Sequence, residues 1–199
     1  MSDILVVLGN DKLGRRAGAL LAAHHGLSVA LDKSTSFTRL AKILWRGSLS
    51  PTLLAKMALA DWSRPDYPVP AHAKPVFSEA DLRALVSSEK IKKVFLFRAG
   101  LLVRQKTLDC GAEFFNIHCA SLPAYPGLGA IARALADGSY SQNATLFRIT
   151  SRIDHGDIVA CEPYALDPRL SYAKNEDSAY QAGMRLLQKT IEGELGTAS

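Results

Sequence analysis

Short apolar runs, each closed by glycine or polar residues, set the frame of this chain. Ile4 to Leu8 is continuously apolar and breaks at Gly9-Asn10-Asp11, which predicts a buried first strand and a turn. Ala17 to His25 follows as a helix stopped by Gly26, and Val29 to Leu31 as a short second strand. Phe37, Leu40, Ala41, Leu44 and Trp45 recur at helical spacing up to Gly47. Ser50-Pro51 supplies a capping hydroxyl and a first-turn proline for the next helix. Ser63 to Pro75 is proline-rich and predicts an extended connection, and Ser78 caps a helix that runs through Val86. Lys93 to Phe97 and Phe114 to Ile117 are predicted strands, with a short helix or turn at Leu101 to Leu108 between them. Gly127 to Ala136 is a loop leading into a helix. Ala144 to Ile149 and Ile158 to Glu162 are strands, and Tyr180, Met184, Leu187 and Ile191 mark a final helix. Alternating strands and helices predict an α/β fold, a mostly parallel sheet with helices on both faces.

The bulk properties narrow the class. At 199 residues the chain fits one domain over 1–199 with a single well-buried core. With 48% hydrophobic and 22% charged residues it has the composition of an ordinary globular protein. No apolar run approaches the roughly 20 residues a membrane span needs, and the start, MSDILVVLGNDK, reads as a strand and no signal peptide. Three cysteines without metal-type spacing point to a reducing, cytoplasmic setting. The charge is uneven. Lys33, Arg39, Lys42, Arg46, Lys56 and Arg64 face a single acid, Asp61, and this segment alone accounts for the whole net charge of +5. Such a patch suits an anionic partner. The nucleic-acid reading lacks interleaved aromatics and a binding motif. The Leu and Trp45 stripe within it reads as core contacts or the seam of a homodimer, ahead of attachment to a membrane surface.

Candidate chemistry lies further along. Asn116 and His118 are two residues apart at the end of a strand, so both side chains leave one face of the sheet. Asp154 precedes a glycine and the next apolar run. An amide, an imidazole and a carboxylate can thus meet at one lip of the sheet. That set suits transfer of an acyl group to an amine. Cys119 invites a thiol-nucleophile reading, but adjacent strand residues point oppositely.

The stretch resembles the 10-formyltetrahydrofolate-dependent formyltransferases, such as the glycinamide ribonucleotide, methionyl-tRNA and amino-sugar enzymes. The resemblance rests on Asn116-Ile117-His118, Leu122-Pro123, Tyr125, Gly127 and Asp154-His155-Gly156, and extends over about 94–163. It implies a Rossmann-like catalytic domain that uses 10-formyltetrahydrofolate as co-substrate and no metal. Asn116, His118 and Asp154 would be catalytic. Gly100, Leu101, Leu102, Ser151, Arg152, Ile153 and Gly156 would receive the folate, with Gly156 leaving room for the pterin. Gly9, Asn10, Lys12, Tyr125 and Gly127 would contact the acceptor, a primary amine on an anionic small molecule such as a nucleotide-linked amino sugar.

Departures from the family pattern carry information. Ala120 stands where many members have Ser, and Pro126 where many have Arg. The glycine-rich phosphate loop of the glycinamide ribonucleotide enzymes is reduced to Gly9-Asn10-Asp11-Lys12, which argues against their substrate. Rival readings are a glycinamide ribonucleotide formyltransferase, a formyltetrahydrofolate hydrolase, and a catalytically silent binder of folate or an anion.

Overall fold

The computed structural model describes residues 3–24, 26–34, 50–152 and 154–196. Among these residues the strands are β1 (Ile4–Gly9), β2 (Ser28–Asp32), β3 (Lys74–Val76), β4 (Lys93–Phe97), β5 (Glu113–His118), β6 (Ser141–Arg148) and β7 (Ile158–Ala165). The helices among the described residues are α1 (Lys12–Leu21), α2 (Pro51–Ser63), α3 (Glu79–Ser88), α4 (Gln105–Leu108), α5 (Ala130–Ala136) and α6 (Tyr172–Gly196). One sheet runs in the order β3-β2-β1-β4-β5-β6-β7. The pairs from β3 to β5 are parallel, and β6 and β7 add an antiparallel hairpin.

Strand alternation sorts the core into two layers. Leu5, Val7, Leu96 and Phe114 pack under Leu82 and Val86 of α3. Val6, Leu8, Phe95, Phe97, Phe115 and Ile117 pack on the other face against α1, α5 and α6. Phe95 and Phe115 stack across neighbouring strands with centroids 5.0 Å apart. The helices therefore cover both faces, as the strand–helix alternation predicts.

Several boundaries differ from the sequence expectation. Helix α1 starts at Lys12 because Asp11 accepts the Gly14 amide at 2.8 Å as its N-cap, and it ends at Leu21. Its interior Gly14 and Gly18 mask that start in the sequence. Strand β3 straddles the end of the proline-rich connection, and β7 continues through Pro163. Both are outermost strands, where proline costs no ladder bond and blunts an open edge. Helix α6 begins eight residues before Tyr180 and buries Asn175 and Glu176, polar positions that hide its apolar face. The predicted helix over Phe37 to Trp45 lies outside the described residues. Among the described residues no helix is long and apolar enough to cross a membrane.

A buried ion-pair cluster ties α2 to α6. Arg64 follows α2, and its guanidinium donates to Glu176 at 2.8 Å and Asp177 at 2.7 Å. The side chains of Arg64 and Glu176 are 8% and 3% exposed. Burial opposes the Arg64 charge, yet the two carboxylates hold its pKa above the ordinary value. Arg64 is thus part of the interior and not of a basic surface. Removing one member of a buried pair strands the other charge. Arg64→Ala should destabilise the fold by about 3–5 kcal/mol in a denaturant titration, and a loss under about 1 kcal/mol would contradict this role.

Candidate active site

Asn116 aligns with Leu96 of β4, so Asn116 and His118 share the sheet face that Phe114 and Leu96 line further in. Both are half-buried. Among the described residues the Asn116 carboxamide makes no hydrogen bond, which leaves its N–H and C=O groups open. The His118 ring is hydrogen-bonded on one side and faces a carboxylate on the other. Its Nε2 lies 2.6 Å from the Tyr125 carbonyl, which can only accept, so Nε2 carries the proton there. Its Nδ1 lies 3.8 Å from Asp154 Oδ2.

The β6–β7 connection doubles back to bring Asp154 to this face. Asp154 Oδ2 accepts the Gly127 amide at 2.6 Å, which fixes the carboxylate beside the imidazole. Asp154 adopts φ +51°, a left-handed conformation that Asp and Asn tolerate better than other side chains. The Thr150 hydroxyl donates to the His155 carbonyl at 2.5 Å and accepts from the Arg152 amide at 3.3 Å, bracing the turn from inside. Gly156 closes the hairpin. A Cβ there would sit 1.6 Å from the Arg148 carbonyl oxygen. The glycine is required by this backbone contact, a different close approach from the pterin contact expected of it.

The loop after β5 is anchored separately. Gln142 accepts the Ser121 amide at 3.1 Å, Ser121 Oγ accepts the Asn143 amide at 2.9 Å, and Thr145 Oγ1 donates to the Ala120 carbonyl at 3.0 Å. The Arg133 guanidinium reaches the Pro126 carbonyl, bringing a cation to the position where Pro126 itself supplies none. Cys119 points to the opposite face. It is buried, and burial pushes its thiol up to about 12, so it is not a thiolate at neutral pH.

The remaining sequence-predicted residues fall into groups. Gly100 is half-buried and Leu102 exposed. The Leu101 amide is already given to Asp32 Oδ2 at 2.7 Å. Ser151 and Arg152 are exposed on the β6–β7 loop, and Ile153 lies outside the described residues. Tyr125 and Gly127 meet the site through backbone, holding His118 and Asp154. Gly9 is buried and Asn10 exposed. Lys12 points away, its Nζ donating to the Trp62 and Arg64 carbonyls at 2.9 and 2.7 Å, where it caps the end of α2. Sequence reasoning missed Arg98, at the end of β4. Its Nε donates to Asp11 Oδ2 at 2.9 Å and its guanidinium lies 4.2 Å from the Tyr180 ring centroid. No motif marks it, because its partners are 87 and 82 positions away.

A family model described as formyl transferase matches residues 77–191, more than half of the chain. The chain belongs to the formyl transferase family. The match spans α3 to α6 and contains Asn116, His118 and Asp154. A methionyl-tRNA formyltransferase of Pseudothermotoga lettingae is 33% identical over 89 residues, covering 44% of this chain and 30% of the relative. The chain thus spans under a third of the length of that curated formyltransferase. Solved structures share the formyltransferase fold over nearly the whole chain. A phosphoribosylglycinamide formyltransferase of Streptococcus pneumoniae superposes with a TM-score of 0.65 at 20% identity, covering 97% of this chain and 98% of that one. An N-formyltransferase of Helicobacter canadensis, solved with folinic acid and dTDP-3-aminofucose, gives 0.62 at 16% identity, covering 99% of this chain and 65% of that one.

The hairpin contact makes Gly156 a sensitive position. Gly156→Ala should shift the loop that carries Asp154, costing about 1–3 kcal/mol by overpacking and lowering activity more than stability alone explains. Thermal melting beside turnover at a temperature where the variant is fully folded checks this. Wild-type turnover in the folded variant would contradict it.

Proposed function

We propose that the chain transfers a formyl group from 10-formyltetrahydrofolate to a primary amine on a small molecule, a nucleotide-linked amino sugar. The observation that supports this is the open Asn116 carboxamide beside an imidazole that bonds the Tyr125 carbonyl and faces Asp154 at 3.8 Å. The acceptor nitrogen attacks the formyl carbon, and negative charge grows on the formyl oxygen. Asn116 donates its free N–H to that oxygen, an effect worth about 2.7–4 kcal/mol for one well-placed donor. Asp154 stands 3.8 Å from the His118 ring and takes the proton that the attacking amine sheds, directly or through water. The bond from carbon to the folate nitrogen then breaks, and that nitrogen leaves with a proton supplied through His118.

The folate would be received by the Gly100–Leu102 loop and by the β6–β7 loop through Ser151, Arg152, Ile153 and Gly156. With the Leu101 amide committed to Asp32, the first loop offers Gly100 and Leu102. The loops after β4 and β5 lie at the carboxyl ends of parallel strands, the usual ligand position in such sheets. The amino-sugar reading draws support from the exposed Lys33 and Lys56 of the basic segment, and from likeness to a fold solved elsewhere with an amino-sugar nucleotide.

Three variants test the roles. Asp154→Asn keeps the left-handed turn and removes only the charge, so it isolates electrostatics from folding. It and His118→Ala should each cut turnover by about a hundredfold to ten-thousandfold, and Asn116→Ala by about a hundredfold to a thousandfold. Circular dichroism should stay unchanged in all three. Turnover within a few-fold of wild type in any of them would remove that residue from the mechanism.

A further inference from the structure

The turn between β1 and α1 lies where the strand order reverses, since β1 pairs with β2 on one side and β4 on the other. In open α/β sheets that crevice and the helix N-terminus beside it ordinarily draw an anion. Among the described residues Lys12 and Arg15 of α1 and Arg98 after β4 are cations beside it. Each already has a partner inside the protein. Lys12 caps α2 through two carbonyls, Arg15 meets Asp66 at 3.2 Å, and Arg98 meets Asp11. The Asp11 carboxylate occupies both attractive elements at once. Its Oδ1 takes the Gly14 amide of the helix N-terminus at 2.8 Å, and its Oδ2 takes the Arg98 Nε and Nη2 protons.

The arrangement is built into the backbone. Arg98 sits at φ +60°, and a Cβ on Gly9 would lie 2.6 Å from the Arg98 carbonyl oxygen. A Cβ on Gly14 would lie 1.9 Å from the Gly9 oxygen. The two glycines therefore serve to dock α1 and the Arg98 turn onto β1. Burial works against the Arg98 charge, but Tyr180, Asp11 and Glu176 outweigh it and hold its pKa above the ordinary value. The guanidinium is permanently charged and permanently neutralised.

We propose that Asp11 is an internal anion that closes the β1–α1 turn to phosphate and thereby determines acceptor specificity. Amines whose phosphate would have to enter this turn are rejected, and any anionic part of the true acceptor is received elsewhere. The specificity half rests on the formyl-transfer reading. Closure of the turn does not.

The test is titration of the full chain with inorganic phosphate, followed by phosphorus NMR at low ionic strength. Wild type should show only weak, unsaturable interaction. Asp11→Asn keeps a side-chain oxygen to cap Gly14 while freeing Arg98, and should bind phosphate about ten- to a hundredfold more tightly. Asp11→Gly should gain as well, and the double variant Asp11→Asn/Arg98→Met should lose the gain. Thermal melts establish that each variant is folded. Wild-type binding as tight as that of Asp11→Asn, or a gain that persists without Arg98, would overturn the proposal. A phosphate gain in a protein that transfers formyl to no amine would support closure while sinking the transfer reading, so the two fail separately.

Discussion

One carboxylate oxygen organises the candidate site. Asp154 Oδ2 accepts the Gly127 amide and faces the His118 ring, so it joins the loop after β5 to the β6–β7 hairpin across a gap of 27 residues. Everything else around it serves that meeting. Gly156 lets the hairpin close on β6, the Thr150 hydroxyl braces the turn, and Gln142 and Thr145 pin the loop after β5. The sheet contributes the one element that must not move, the end of β5, buried between β4 and β6. A charge held at fixed distance from an imidazole costs no reorganisation at the moment of reaction, which is the physical basis of electrostatic catalysis.

The second organising feature is the disposal of positive charge. Arg64 and Arg98 are taken into the interior by Glu176, Asp177 and Asp11, and Lys12 is spent on the carbonyl end of α2. These contacts lash α1, α2 and α6 together at the side of the sheet where β1 and β4 end. Net charge thus overstates the free basic surface. Among the described residues of the 33–64 segment, Lys33 and Lys56 remain exposed.

How much of this was legible beforehand depends on the range of the interaction. The apolar runs located β1, β4 and β5 to within a residue or so, because buried parallel strands are uniform in hydrophobicity. Asn116 and His118 on one face followed from strand parity alone. Asp154 was found through the spacing of a recognised pattern, and no local rule would have placed it beside His118. Strand β3 and the end of β7 from Pro163 to Ala165 were hidden by Pro75 and Pro163, since proline in a sheet is confined mainly to edge strands, strand starts and bulges, and edges are a property of the whole sheet. Asp11 and Arg98 were invisible as a pair, 87 positions apart, and Gly9, expected to contact the acceptor, lies against the Arg98 carbonyl. Backbone roles of Tyr125 and Gly127 were likewise unreadable, because a carbonyl and an amide carry no side-chain signature.

The central claim is transfer to an amine, and consumption of 10-formyltetrahydrofolate by the purified protein tests it most directly. The assay compares no acceptor with a pool of primary amines that includes amino-sugar nucleotides. The account predicts loss of the formyl donor only when amines are present, with a matching formamide product. Equal loss without amines would make water the acceptor, and absence of loss in both conditions despite folate binding would make the site a silent one.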